Sequence, residues 1–198
     1  MTRFEDADWL GLAPDARTSA SDPLRIDPVA AGPHGGQIGL CLCPGKRASS
    51  LSGRRWERDL AADLAVIARW PADAVLTLIE DPEFEALGVP QLGREVRALG
   101  IAWHHLPIVD FQPPDARFEA RWADRGPALL ALLRAGGRVI VHCRGGLGRS
   151  GTVAARMLVE LDVPAPEAIA RVRAVRPGAI ETPEQLRYIA ALAGWSRR

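Results

Sequence analysis

Short, unbroken apolar runs alternate along the chain with longer stretches in which apolar residues return every three or four places. The runs at residues 38–42, 74–79, 101–109 and 138–142 span five to nine positions each. Runs this continuous suit strands covered on both faces. Helical spacing fills the gaps between them. Residues 56–70 set Leu60, Leu64, Ile67 and Ala68 on one face, 91–99 form a second candidate ended by Gly100, and 115–135 a long third. Asp115 reads as the cap of that long helix, and Gly136 with Gly137 as its end. Three more helices are predicted at 149–161, 165–175 and 183–193, and a short one where Asp81 caps and Pro82 takes the first helical position. A turn at Cys43-Pro44-Gly45 closes the first strand. Strands alternating with helices predict an α/β fold, with a central, mostly parallel sheet flanked by helices. Residues 1–36 have no sustained period and read as an arm packed along the domain. The division expected is an N-terminal arm over 1–21 and a single domain over 22–198.

Composition narrows the function classes. With 25 Lys plus Arg against 24 Asp plus Glu, the formal charge of the 198-residue chain is +1. No basic excess is present to neutralise a phosphate backbone, so nucleic acid is not expected as the partner. No apolar run approaches the length of a membrane span, and no membrane partner is expected. The first residues, MTRFEDADW, are acidic where a secretory leader would be basic and then apolar. Three cysteines do not make a disulfide framework, and a reduced, cytoplasmic protein is expected. Lys46 is the only lysine, a bias better explained by a GC-rich genome than by function. The six tryptophans are scattered and read as packing residues. His104 and His105 have no carboxylate or thiol pattern beside them that would make a metal site, so no metal is expected.

The chemistry concentrates in RVIVHCRGGLGRSG at 138–151, where a strand runs into a glycine-rich loop and the loop into a helix. Glycines let successive N–H groups converge into an anion nest at a helix N-terminus. Gly145, Gly146 and Gly148 stand where such a nest needs them. Residues 146–151 also match G-x-G-x-x-G, the dinucleotide fingerprint. That fingerprint wants a second strand and an acidic residue about 20 places on. This chain has the helical run EAIARVRAV there, so the reading is set aside. A nucleotide P-loop fails as well, for lack of a Lys after the glycines.

Cys143 and Arg149 bracket the loop with five residues between them, so one turn brings a thiolate and a guanidinium to the same anion. The nest, the helix N-terminus and Arg149 all favour the thiolate. Arg149 offers a planar fork for two phosphoryl oxygens. The thiolate is then placed for in-line attack on phosphorus, and guanidinium and amides stabilise the equatorial oxygens. Arg144 and Leu147 are the loop side chains expected at the pocket rim.

The string H-C-x5-R-S resembles the signature of the cysteine-dependent protein tyrosine and dual-specificity phosphatases. Within that superfamily the likeness points to the kinase-associated phosphatase, or cyclin-dependent kinase inhibitor 3, family. It extends through IGLCLCPGKR at 38–47, HHLPIVDFQPPD at 104–115, the loop, and GAIETPEQLRYI at 178–189. The resemblance implies a dual-specificity phosphatase-like fold that hydrolyses phosphotyrosine, phosphoserine or phosphothreonine on a protein or peptide without metal or other cofactor. It implies Asp110 as general acid, with Asp115 competing for that role although its simpler task is to cap a helix. Ser150 resembles the hydroxyl that stabilises the leaving thiolate, and His142 the histidine that orders the loop. Gln185 resembles the glutamine that positions the hydrolytic water. Thr182-Pro183-Glu184-Gln185 is equally a capping box, and both readings stand.

Other readings remain open at this level. The loop could hold a phosphopeptide with little turnover. It could also serve another oxyanion, as in an arsenate reductase, with Cys41 or Cys43 as a resolving thiol, although buried strand residues are the simpler account of both. A lysine-poor loop argues against inositol phosphates, and a rhodanese-type loop is one residue shorter. Lys46 and Arg47 read either as framing the pocket entrance or as a solvated turn.

Overall fold

The computed structural model describes residues 16–49 and 55–192. The first half of the chain forms β1 (Arg17–Thr18), β2 (Asp27–Ala31), β3 (Gly36–Cys41), β4 (Arg47–Ser49), β5 (Arg55–Glu57), α1 (Leu60–Arg69), β6 (Ala74–Thr77), α2 (Asp81–Ala86) and α3 (Leu92–Ala98). The second half adds β7 (Ala102–His105), α4 (Ala116–Arg134), β8 (Arg138–His142), α5 (Gly148–Val159), α6 (Ala165–Val175) and α7 (Pro183–Leu192). Five strands make the central sheet in the order β2-β3-β8-β6-β7. Strands β3, β8, β6 and β7 pair in parallel, and β2 runs antiparallel to β3 at one edge. The α/β expectation holds, with the sheet mixed at that edge.

Helices cover both faces. On one, α4 to α7 pack Phe118, Leu133, Val153 and Met157 against Leu40, Leu76, Val139 and Val141. On the other, α1 and α3 bring Ile67, Leu92 and Val96 to Val75 and Ile140. Strand β8 thus contributes alternate residues to both layers, which is why its sequence reads as one apolar run. Helix α5 is buried at all twelve positions. Gly151 lets it approach Ala179 and Ile180 closely.

Four sequence expectations need correction. The stretch read as an arm contains β2, whose residues alternate buried and exposed; its inward positions are Asp27, Val29 and Ala31, too weak a pattern to register, and Pro28 is tolerated because the strand lies at an edge. The helix expected from residue 56 begins at Leu60, where the Asp59 carboxylate accepts from Ala62 N at 2.7 Å. Residues 55–57 instead form β5, the middle strand of a small three-stranded sheet with β1 and β4. At α2 the capping position is Glu80 rather than Asp81. The strand expected over 101–109 is regular only over Ala102–His105, although Leu106 N and Ile108 N still bond Thr77 O and Leu78 O at 3.0 Å each. Most of the expected arm, residues 1–15, lies outside the described residues, as do Trp9 and Trp195.

Candidate active site

Strand β8 ends at the middle of the sheet, and its carboxyl end is where α/β folds bind ligands. Cys143 follows immediately, 3 % exposed, with its Sγ accepting from Gly146 N at 3.3 Å and lying 3.5 Å from Ser150 Oγ. Gly146 takes φ +74°, and a Cβ there would collide with the Cys41 carbonyl, so the turn requires glycine. A residue the sequence reading missed braces the loop from behind. Arg176 donates from Nε to Gly146 O at 3.0 Å and from Nη2 to Gly145 O at 3.2 Å, while its Nη1 bonds Asp27 Oδ2 at 2.7 Å. With those carbonyls held outward, the loop's N–H groups are free to face the anion. Arg144 and Leu147 are half-buried at the rim and Gly145 is exposed.

Arg149 is buried in the first turn of α5. Its Nη1 donates to Glu83 Oε2 at 2.5 Å and Ile108 O at 3.1 Å, and its Nη2 to Glu83 Oε1 at 3.0 Å. Nη2 also meets Asp110 Oδ1 at 2.9 Å. Its Nε is the one buried side-chain nitrogen or oxygen without a hydrogen-bond partner among the described residues. Burial works to raise the Glu83 carboxyl, but the hydrogen bonds and charge of Arg149 outweigh it and hold the group below its usual range. Glu83 was not foreseen, because it lies 66 positions from Arg149 on a short helix. The available signal was the acidic helix start itself, where Glu83 Oε2 also accepts from Glu80 N at 2.8 Å.

Asp110 sits where strand β7's extension turns away, its carboxylate also accepting from Phe111 N at 3.1 Å. Phe111 has φ +60°, and Val109 and Phe111 are 39 % and 44 % exposed, an apolar lip on both sides of Asp110. Asp115 is committed elsewhere: its Oδ1 accepts from Arg117 N and Phe118 N at 3.0 Å each, capping α4 as the sequence predicts. Lys46 is not a solvated turn residue. It is 4 % exposed with its ammonium 5.5 Å from the Trp56 ring centroid, and burial followed by the charge of Arg144 lowers its pKa.

His142 bonds Thr77 Oγ1 through Nε2 at 2.8 Å and Cys143 O through Nδ1 at 3.3 Å. A carbonyl can only accept, so the proton sits on Nδ1 and the Thr77 hydroxyl donates to Nε2. That hydroxyl in turn accepts from Trp103 Nε1 at 2.9 Å. Burial pushes the imidazole down to about 4, so it is neutral at neutral pH and ties the loop's first peptide to the sheet.

Gln185 is fully buried, and its backbone N donates to Thr182 Oγ1 at 3.2 Å while its Oε1 accepts from Thr182 N at 3.3 Å and from Glu181 N at 2.8 Å. The capping box is therefore formed, and the same amide lies against Gly148. The acidic neighbour, Glu181, was not singled out by the sequence. Its carboxylate lies directly over Gly148, leaving no room for a Cβ. Burial and then nearby Asp110 raise it, against the opposing pull of the Gly148 amide and Arg149. Ile180 sets this placement: it is held at φ +61°, a strained value for a β-branched residue, by Arg173 on its carbonyl at 2.9 Å and by Leu147 O on its N–H at 3.3 Å. Cys41 and Cys43 are fully buried, Cys41 pushed up to about 12 and Cys43 well above its ordinary value by desolvation, so both pack as small apolar side chains. Among the described residues no group of three His, Cys, Asp or Glu side chains could hold a metal, and no helix is long and apolar enough to cross a membrane.

A thiol, a hydroxyl, a guanidinium with an open N–H and a carboxylic acid thus meet around one glycine loop. Known proteins resemble this chain in sequence and fold. A family model described as a Swiss Army Knife protein DSP-PTPase phosphatase domain matches residues 60–189. Human cyclin-dependent kinase inhibitor 3 is 32 % identical over 155 residues, covering 77 % of this chain and 69 % of that protein. The pig protein of that name is 30 % identical over 172 residues, covering 84 % and 77 %. A crystal structure of kinase associated phosphatase, with its catalytic-site cysteine replaced by serine, superposes with a TM-score of 0.74 at 26 % identity, covering 88 % of this chain and 97 % of that one. The active form of Tk-PTP gives 0.62 at 30 % identity, with 83 % and 97 % covered. The chain belongs to the cysteine-dependent dual-specificity and tyrosine phosphatase family and is a phosphatase enzyme.

Proposed function

We propose that the enzyme hydrolyses phosphotyrosine, phosphoserine or phosphothreonine on protein substrates through a cysteinyl-phosphate formed on the loop at 142–150. The observation that carries this reading is the buried Arg149 Nε, a donor with no partner among the described residues, in the first turn of the helix that follows the glycine loop of Cys143. A buried N–H left without an acceptor is costly, and a phosphoryl oxygen supplies the acceptor. The Cys143 thiolate attacks phosphorus, forming the S–P bond as the P–O ester bond breaks. Asp110 gives its proton to the leaving oxygen. Glu83 holds both Nη groups of Arg149, which leaves Nε for a phosphoryl oxygen, and the loop amides take the remaining equatorial charge. Water then attacks phosphorus and gives a proton to the Asp110 carboxylate, the S–P bond breaks, and the Ser150 hydroxyl at 3.5 Å donates to the departing thiolate. Gln185, whose Oε1 serves the cap and whose Nε2 donates to Gln112 O at 3.3 Å, lies against Gly148 with one amide N–H left to order that water. A reduced thiol is required throughout, so we assign the enzyme to the cytoplasm.

Phosphate release from a panel of phosphotyrosyl, phosphoseryl and phosphothreonyl peptides tests the reading, with Cys143→Ser as control. Release that vanishes in the variant is expected, and the preferred phosphoresidue reports the depth of the pocket. Full turnover by Cys143→Ser would end the mechanism. Tight binding without release by the wild type would leave a phosphopeptide-binding module instead.

A further inference from the structure

Strand β7 is an open edge of the central sheet, since β6 is its pairing partner and lies on one side of it. Ala102 N and Leu106 N point back to Asp73 O and Thr77 O at 3.0 Å each, so the backbone groups of Trp103 and His105 point outward. Arginines close on this edge from both layers. Arg97 of α3 lies over the Trp103 ring at 4.5 Å from its centroid, and Arg121 of α4 donates to His105 O at 3.2 Å. Together with Arg125 they line a cleft of about 540 Å³ along the strand. The cleft's lining has three guanidiniums against the single carboxylate of Asp124, an excess of two positive charges in a chain whose formal total is +1. Burial and then Arg125 lower the pKa of His104, which keeps it neutral there.

Basic side chains continue along α4 towards the active site, with Arg117 paired to Asp115 and Arg125 to Asp124 at 2.8 Å each. Arg117, Arg121 and Arg125 fall at successive four-residue steps on α4, a spacing at which like charges repel. Charged side chains do guard open sheet edges. A guard has no need of a row running down the neighbouring helix to its N-terminus at Asp115, five residues after Asp110. From His105 to Asp110 the chain has five steps, so the cleft begins no more than about 18 Å from the acid.

We propose that this cleft docks an acidic, extended segment of the phosphoprotein substrate along the open edge of β7, on the side of the phosphoresidue that leads over Asp110. The edge supplies main-chain hydrogen bonds at Trp103 and at His105 N, since His105 O already accepts from Arg121, and the arginines supply bidentate pairing to Asp and Glu side chains. The inference rests on the proposed protein substrate and adds a selectivity that a bare phosphoresidue does not report.

The test uses a peptide with the phosphoresidue preferred in the panel above, carrying four Asp or Glu residues five to eight places away on either side, and its Asn/Gln counterpart. Wild type should turn over the acidic peptide with kcat/KM about tenfold higher when the acidic run is on one side, an advantage that shrinks with added salt. Arg97→Glu and Arg125→Glu should each remove that advantage while leaving hydrolysis of a small aryl phosphate unchanged. Arg125, which pairs only with its neighbour Asp124, is the safer variant for the fold. Equal rates on the two peptides, or an advantage that survives both variants, would overturn the docking site and leave the phosphatase reading intact. Equal competition by anionic vesicles or RNA would reduce the cleft to a general polyanion patch, which also overturns it. Failure of the wild type on every phosphopeptide, with the aryl phosphate hydrolysed, would strike the protein-substrate reading first.

Discussion

Arg58 and Arg149 are buried against carboxylates in nearly the same way, and only Arg149 lies in the candidate active site. Arg58 donates from Nε and Nη2 to Asp63 at 2.7 and 2.8 Å, and from Nη1 to Asp22 O at 2.8 Å. Asp63 is saturated too, accepting from Ser19 Oγ at 2.7 Å and Gly45 N at 2.9 Å. The pair locks the turn at Cys43-Pro44-Gly45, and with it Lys46, to the start of α1. Arg149 has an equally good fork on Glu83, yet its Nε has no partner and a second carboxylate, Asp110, leans on it from the exposed side. A buried ion pair therefore says little about function by itself. What separates the two is incompleteness. The saturated pair is a structural clamp, and the one with a donor spare among the described residues has room for the anion proposed above.

The contrast is sharpest in the two arginine variants. Arg149→Ala should lower kcat/KM for an aryl phosphate by about 10³-fold or more, the scale of losing an oriented charge at the transition state. A smaller loss would mean that the spare donor is incidental. Arg58→Met should leave the rate of the folded enzyme within a few-fold of wild type but reduce unfolding stability by about 3–5 kcal/mol, because Asp63 is left as an uncompensated buried charge; urea unfolding and steady-state rates on the same samples check both halves.

Acid tests the sheet side of the loop. The folded pKa of His142, about 4, lies below its ordinary 6.5, so the unfolded chain binds the proton first. Stability from this group is complete above 6.5 and lost as pH falls towards 4, by roughly 3 kcal/mol if the shift is fully expressed. His142→Gln should flatten that part of the urea midpoint against pH. The smallest effect expected concerns Glu181, whose raised carboxyl keeps its proton to higher pH than usual. As it ionises, its charge over Gly148 opposes an incoming anion, so the inhibition constant for sulfate should rise a few-fold with pH, and Glu181→Gln should lessen that rise.

Much of the site was legible because its parts are contiguous. Cys143, the loop glycines, Arg149 and Ser150 occupy a single eight-residue segment whose strand and helix are both strongly patterned, and Asp110 stands beside a helix cap that reads clearly. What was illegible came from far along the chain. Glu83, Arg176 with Asp27, and Thr77 meet the loop only through tertiary contacts, 65 or more positions away for Glu83 and Thr77. Nothing in DPEFEA marks its second acidic residue as the partner of the loop's arginine. The edge strand β2 escaped for a local reason, since Asp, Pro and Ala carry its alternation.

The sequence by itself determined the layer plan and put a thiol, a glycine loop and an arginine on one strand-to-helix turn, because apolar runs alternate with amphipathic helices and the loop's residues are contiguous. Tertiary structure alone decided which donors remain unsatisfied. Burial sets the cost of an unpaired N–H and the dielectric around each charge, and burial exists only once the sheet and its two helical layers have closed. The difference between the clamp at Arg58 and the anion site at Arg149 arises there.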